Sequence, residues 1–222
     1  GKQMLLGIRK PVCICKLIKT LDTHKGLKIL HLNARSLFPK IEEVRWLAQK
    51  AKLDILMVSE TWFNDTIPDI DVMIDGFYLI RNDREHKSAG GVAMFIRNNI
   101  HYFPRPDIIT DPNLEMLWIE LTTKGNKTNT LLSVAYRPPD SEEMYYNNML
   151  NTIEKAHSED KHIVIMGDLN YDYLVDENRM IHPIHKIEKL YSLRQLVLKP
   201  TRVTRTSATI LDLILTSCHT RH

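Results

Sequence analysis

The chain has 222 residues, of which 43% are hydrophobic and 26% charged, with only eight glycines. That is enough apolar side chain for a sizeable core in one large domain or two small ones, and it excludes a disordered or fibrous chain. No apolar run approaches the roughly 18–20 residues of a membrane span, so no membrane partner is expected.

The net charge of +3 says less than its distribution. Residues 1–28 carry Lys2, Arg9, Lys10, Lys16, Lys19, Lys25 and Lys28 against a single acid, Asp22, which leaves the remainder at −3. A second basic stretch follows near the other end, with Arg194, Lys199, Arg202 and Arg205. Two basic ends around a mildly acidic middle fit a phosphate-binding rim, and they also fit an ordinary solvated surface. Cys13, Cys15 and Cys218 are an odd number without a disulfide framework or zinc spacing, as expected in a reducing compartment. The basic N-terminal stretch is broken by Lys16 and Lys19 and makes a poor secretion signal. The expectation is therefore an intracellular protein, nuclear or cytoplasmic and not secreted. A chain that opens on Gly is also expected to be a piece of something longer.

In chain order, residues 1–27 show no clear period and are expected to be a basic extension. Lys28 to Leu32 reads as a short strand ending at Asn33. Pro39 opens a helix whose Ile41, Val44, Leu47, Ala48 and Ala51 share one face. Asp54 to Ser59 is an apolar strand stopping at Glu60. Gly90-Gly91 leads into a strand at Val92 to Arg97. Glu115 to Thr122 alternates, with Met116, Trp118 and Glu120 on one side and Leu117, Ile119 and Leu121 on the other. Thr130 to Tyr136 is a strand stopped by Pro138-Pro139. Tyr145, Met149, Thr152, Ile153 and Ala156 mark a helix, and His162 to Met166 a strand ending at Gly167. Pro183 starts a helix through Ile184, Ile187, Leu190 and Tyr191, and Thr209 to Leu215 is the last strand. Many short strands with inserted helices suit two packed sheets flanked by helices, a four-layered α/β (α+β) sandwich.

Several strands end in a residue able to bind a metal or a phosphate: Asn33, Glu60, Tyr136, and Asp168 with Asn170. In HIVIMGDLN, Gly167 permits a sharp exit from the strand, and Asp168 and Asn170 lie on one side of an extended chain, where they could orient a water and hold a phosphoryl oxygen. The same residues also read as a strand followed by an Asp/Asn turn. Glu60 in SETW is a carboxylate of the kind magnesium takes, or a turn cap. Tyr136-Arg137 offers a phenol and a charge to a phosphate, or is a strand stopped by prolines. Asp212, in ILDLI, is flanked by apolar residues and needs a partner, so a structural role stands beside a catalytic one.

Taken together and in this order, Asn33 in HLNARSL, Glu60 in VSETW, Gly90-Gly91-Val92-Ala93, Tyr136 in AYRPP, Asp168 and Asn170 in GDLN, and Asp212 in TSATILDLIL resemble the endonuclease/exonuclease/phosphatase superfamily. NARSL, SETW, YRPP and TSATILDLILT resemble in particular the endonuclease domain of LINE-type (non-LTR) retrotransposons. The resemblance covers about residues 28–217, leaving 218–222 as a tail. It implies a magnesium-dependent endonuclease, with manganese as an alternative ion, that nicks double-stranded DNA, and a reverse transcriptase domain in the parent polypeptide. It implies that Glu60 binds the metal with Asn33 beside it, and that Asp168 positions or activates the attacking water. Asn170 and Tyr136 would hold the scissile phosphate, and Asp212 would orient a histidine. Thr201 and Arg202 would lie near the DNA backbone, with Arg35, Arg137 and Arg205 as further DNA contacts.

The family pattern ends in Ser-Asp-His, and after Asp212 this chain reads LILTSCHTRH. His219 and His222 follow too soon to match that spacing. The expectation is a chain cut short before its catalytic histidine, with weak or absent cleavage. A catalytically impaired relic that binds DNA or protein is the alternative. A phosphatase or lipid phosphodiesterase of the same superfamily fits the NARSL, SETW and YRPP details less well.

Overall fold

The segment ILMVS at Ile55–Ser59 is buried at every position. A strand covered on both faces needs a packing layer on each side, and the rest of the fold supplies them. The computed structural model describes residues 26–85, 89–122, 128–175 and 182–217. The basic segment up to residue 25, the tail 218–222 with His219 and His222, and all three cysteines lie outside the described residues.

In chain order the elements are β1 (Ile29–Asn33), α1 (Ile41–Lys50), β2 (Ile55–Ser59), α2 (Asp69–Val72), β3 (Phe77–Asn82), β4 (Val92–Arg97), β5 (Tyr102–Pro104), β6 (Glu115–Leu121), β7 (Thr130–Tyr136), α3 (Glu143–His157), β8 (His162–Asp168), α4 (Pro183–Leu190), β9 (Arg194–Gln195), β10 (Arg202–Val203), β11 (Ala208–Thr209) and β12 (Asp212–Thr216). Among the described residues they form a four-stranded sheet, β1-β2-β4-β3, a six-stranded sheet, β5-β6-β7-β8-β12-β9, and the small hairpin β10-β11. Each large sheet holds one parallel pair, β1 with β2 and β7 with β8, and its other pairs are antiparallel.

Alternation along the strands builds three apolar layers. Ile55 and Met57 of β2 and Met94 and Ile96 of β4 meet Ile119, Leu132, Val134 and Met166 between the sheets. The opposite face of β2, Leu56 and Val58, packs with Phe95 under Val44, Leu47 and Ala48 of α1. Met116, Trp118, Leu131, Ile163 and Ile165 of the second sheet pack under Met149 and Ile153 of α3 and Ile184 and Ile187 of α4. The expected four-layered sandwich is what forms, and the predicted faces of α1 and β6 are the buried ones. Fully burying one such aliphatic side chain contributes about 1.5–3 kcal/mol, so these layers are the main driving force for folding.

Two expectations need correction. The predicted strand Thr209 to Leu215 is two elements. Ala208–Thr209 pairs with Arg202–Val203, and β12 starts afresh at Asp212. The break arises because the Leu211 and Asp212 amides donate to Thr201 Oγ1, at 3.1 and 3.2 Å, instead of entering a ladder. Gly167 does not end its strand either, since β8 runs on through Asp168. Glycine is required there for close approach. A Cβ at Gly167 would sit 1.8 Å from the Ala135 carbonyl oxygen on the neighbouring strand.

Gly167→Ala therefore must push β7 and β8 apart. A loss of about 1–3 kcal/mol, or failure to fold, is expected from the overpacking scale, and a urea melt against the wild type checks it. An unchanged midpoint would refute the close-approach reading.

Candidate active site between the sheet ends

β1, β2, β7 and β8 finish at the same end of the sandwich, where β12 begins, so their terminal side chains converge. Asn33, at the end of β1, donates its Nδ2 to Glu60 Oε1 at 2.8 Å and to Asp168 Oδ2 at 2.6 Å. One amide thus joins a carboxylate after β2 in the first sheet to a carboxylate ending β8 in the second. Asp168 lies opposite Tyr136 on one side and opposite Asp212 on the other. Asp168 Oδ1 accepts from the Asn170 amide at 3.0 Å, while the Asn170 side chain donates to the Arg137 carbonyl at 2.7 Å. One Asp168 oxygen thus makes the Asp/Asn turn of GDLN while the other meets Asn33 across the sheets. Asn170 is not extended, contrary to expectation. Its φ is +50°.

Left-handed backbone at non-glycine residues gathers here. Arg35 (φ 43°) and Ser36 (73°) follow Asn33, and Glu60 (53°) and Trp62 (57°) follow β2. Such conformations cost about 1–3 kcal/mol each and persist only where the surroundings hold them. The hold is visible. The Ala34, Ser36 and Leu37 amides donate to the carbonyls of Ser59, Glu60 and Thr61 at 2.8–3.0 Å. Lys40 donates to the carbonyls of Ala34 and Arg35. The two loops carrying Asn33 and Glu60 are thereby bound to each other.

The electrostatics of the site are conflicted. Glu60, Asp168 and Asp212 share a largely desolvated space. The Asp168 carboxyl is pushed up to about 7, by burial first and then by the charge of Asp212, against the opposing amides of Asn170 and Asn33. Asp212 is pushed up as well, by burial and by the charge of Glu60, while Thr201 holds it down. The Tyr136 phenol is 6% exposed, and burial together with the charges of Glu60 and Asp168 keeps it protonated and able to donate. Among the described residues, Asn33 Oδ1 and Asp212 Oδ1 are buried without a hydrogen-bond partner. Orphaned hard oxygens beside crowded carboxylates are a fitting environment for a hard divalent cation, which takes one or two carboxylates and completes its shell with water and substrate oxygen. Among the described residues no three His, Cys, Asp or Glu side chains form a ready-made metal cage. Asn33 and Glu60 are the residues suited to hold such an ion.

The remaining predicted residues divide. Arg35 is at the rim, half exposed, 4.0 Å from Glu60. Arg202 and Arg205 are exposed on the β10-β11 hairpin and its turn. Thr201 is buried beneath that hairpin and anchors the start of β12. Arg137 is buried too, its guanidinium 4.0 Å over the Tyr171 ring.

Sequence reasoning passed over His31. Its side chain is 7% exposed between the sheets, with Nδ1 3.8 Å from Asp212 Oδ1 and Nε2 3.1 Å from Ser59 Oγ. Burial drops its pKa to about 4, so the ring beside Asp212 is neutral at neutral pH. The available signal was its position two before Asn33, which puts both on one face of β1.

The raised carboxyls make stability depend on pH with a definite sign. Between the ordinary aspartate value of 3.8 and about 7, the folded state holds a proton that the unfolded chain has released. Stability is therefore greatest at the acid end of this window and falls as pH rises through it. Melting curves from pH 5 to 8 are expected to show that fall, Asp168→Asn to flatten it, and magnesium to offset it most at the alkaline end. A melting temperature that rises across this range in the wild type but not in Asp168→Asn would contradict the assignment.

Comparison with known proteins bears on this arrangement. The profile of the Endonuclease/Exonuclease/phosphatase family matches residues 28–218. Among solved structures, the endonuclease domain of TRAS1, a telomere-specific non-LTR retrotransposon, superposes with a TM-score of 0.63 at 15% identity, covering 86% of this chain and 84% of that one. The AP endonuclease LMAP of Leishmania major gives 0.61 at 14% identity, over 86% and 79%. A 3′ phosphatase from Neisseria, solved with a product DNA hairpin, gives 0.57 at 16%, over 86% and 87%. A search of curated protein sequences returns no match. At such identities the superpositions establish the fold, while the profile establishes the family. The chain belongs to the Endonuclease/Exonuclease/phosphatase family.

Proposed function

We propose that this chain is the endonuclease domain of a LINE-type retrotransposon, built to hydrolyse a phosphodiester of double-stranded DNA with magnesium, or manganese in its place. The observation that carries the reading is the Asn33 amide joining Glu60 to Asp168 across the two sheets, with Asn33 Oδ1 and Asp212 Oδ1 buried beside it and unpartnered among the described residues. Three carboxylates would repel a phosphodiester, so the site suits one only when a cation offsets their charge. Bound by Glu60 and Asn33, that ion would supply Lewis-acid stabilisation of charge on the phosphate and the leaving oxygen. Asp168, its pKa raised toward neutrality, is suited to accept a hydrogen bond or proton from the attacking water. The protonated phenol of Tyr136 and the side chain of Asn170 are suited to hold the phosphate oxygens. Arg35, Arg202 and Arg205, exposed around this end, add positive charge toward the DNA backbone. The buried Thr201 and Arg137 act through the backbone, Thr201 by fixing Asp212 and Arg137 by fixing Asn170. NARSL, SETW and YRPP favour the retrotransposon branch, with a reverse transcriptase in the parent polypeptide.

A second reading, a catalytically impaired module that binds DNA, is favoured by one specific feature. Among the described residues Asp212 Oδ1 has no hydrogen-bond partner, and the His31 imidazole beside it is beyond hydrogen-bond reach at 3.8 Å. Positioned acid–base groups contribute about 10²–10⁴-fold, so slow cleavage is expected. Supercoiled plasmid incubated with magnesium, with and without EDTA, tests both readings. Slow, EDTA-sensitive nicking abolished by Asp168→Ala supports the first. Silence in this chain, with activity after a Ser-Asp-His segment from a related element is appended, supports a missing histidine as the cause. Silence in both leaves only the binding module.

The catalytic domain is proposed to span residues 28–217, with 1–27 adding affinity through charge. Deleting 1–27 is then expected to weaken DNA binding at low salt and to flatten its salt slope, since each neutralised phosphate adds about 0.9 to that slope. Unfolding on deletion would instead make the segment part of the fold.

A further inference from the structure

Behind the site lies a buried carboxylate to which no role has been given. Glu115 is the first residue of β6 and lies opposite Tyr136 of β7. It is 5% exposed. Its Oε2 accepts the Gly91 amide, and its Oε1 accepts Arg84 Nε at 2.7 Å. Gly91 and Gly90 in turn accept the Thr61 and Trp62 amides, at 3.2 and 2.9 Å, so they hold the turn on which Glu60 sits. Both glycines are left-handed, at φ 80° and 77°, and a Cβ on Gly91 would lie 2.7 Å from Thr61 Oγ1. The loop is therefore pressed against the turn as closely as backbone can come. On the other side, the Arg84 guanidinium lies 5.6 Å over the Tyr136 ring. The Tyr145 hydroxyl accepts the Glu115 amide and donates to the Tyr136 carbonyl, each at 2.9 Å.

We propose that Glu115 is a positioning residue, its carboxylate fixing through Gly91 the strained Glu60 turn of one sheet and through Arg84 the Tyr136 ring of the other. It touches neither substrate nor metal. It ties the two halves of the site together from behind, as Asn33 does from the front. The Glu60 part of this role rests on the metal reading of the preceding subsection, whereas the hold on the turn does not.

Two variants separate shape from charge. Glu115→Asp keeps the charge and withdraws the carboxylate by one methylene. Glu115→Gln keeps the shape and an acceptor for Gly91 but loses the charge and turns an NH2 donor toward Arg84, so it spares the hold on the turn and gives up the hold on Arg84. Amide hydrogen exchange over residues 60–63 and at Gly91 reads the turn directly, calorimetric titration with Mn²⁺ reads the metal site, and a urea melt reports global stability. In Glu115→Asp, exchange in the turn is expected to accelerate beyond what the melt accounts for, and Mn²⁺ affinity to fall about 10–100-fold, the usual effect of losing an outer support. Glu115→Gln is expected to stay within a few-fold of the wild type in both. The proposal is overturned if Glu115→Asp leaves turn exchange unchanged, or if Glu115→Gln loses as much as Glu115→Asp. Glu60→Gln serves as the control. If it binds Mn²⁺ as tightly as the wild type, the metal reading fails, and the exchange measurements alone decide the role of Glu115.

Discussion

The aliphatic layer between the two sheets is the constraint on which the rest of the molecule depends. Ile55, Met57, Met94 and Ile96 on one side and Ile119, Leu132, Val134 and Met166 on the other bring the sheets face to face. Their burial sets the relative height of β1 and β2 against β7 and β8. Sliding one sheet along the other by a single residue would break the interdigitation of these side chains and carry Asn33 about 3.3 Å away from Asp168. The bond from Asn33 to Asp168 spans 135 residues of sequence and is short only because this layer is filled. The chemistry at the sheet ends is thus a by-product of apolar packing some distance below it.

What is assembled there is unfavourable by itself. Glu60, Asp168 and Asp212 repel one another, Asn33 Oδ1 and Asp212 Oδ1 lack partners among the described residues, and four non-glycine residues just after β1 and β2, Glu60 among them, are left-handed. A packed core can carry such a load because its own stabilisation is large and lies elsewhere. The load is also what would suit the site to the cation and phosphate of the proposed function. An apolar or fully paired arrangement would be more stable and would offer neither ion an unsatisfied group.

The backbone around the site is held from two directions. In front, the loop after β1 lies along the turn after β2 and contributes amides to its carbonyls. Behind, the Gly90-Gly91 loop leading into β4 contributes carbonyls to the turn's Thr61 and Trp62 amides, and Glu115 connects that loop to the second sheet. The pair of glycines at this point reads in sequence as a strand entry. Its structural reason is the separation between Gly91 and Thr61, which leaves no room for a side chain.

Much of this was legible in the sequence because it is local. Period-2 alternation in β6 divided its side chains between two faces, and period-3.6 spacing identified the buried side of α1. The polar residues at strand ends, which the fold brings together, were also legible, since an Asn, Glu, Tyr or Asp immediately after an apolar run is visible without knowing what it meets. Short or irregular elements were not legible. β5, β9 and the β10-β11 hairpin carry too few alternating positions to stand out, β3 was passed over although it is as long as β4, and the break before Asp212 depends on Thr201 reaching it from ten residues away in sequence. Burial of Arg137 and Thr201 was equally hidden, because exposure belongs to the packed molecule and not to the residue type. The sequence by itself determined the layers and the set of chemical groups at the strand ends. Only the tertiary structure decided which of those groups face one another, that His31 lies beside Asp212, and that Glu115 stands behind Glu60 and Tyr136. These relations join residues far apart in the chain, and their distances are set by side-chain volumes in a shared core, which no local pattern records.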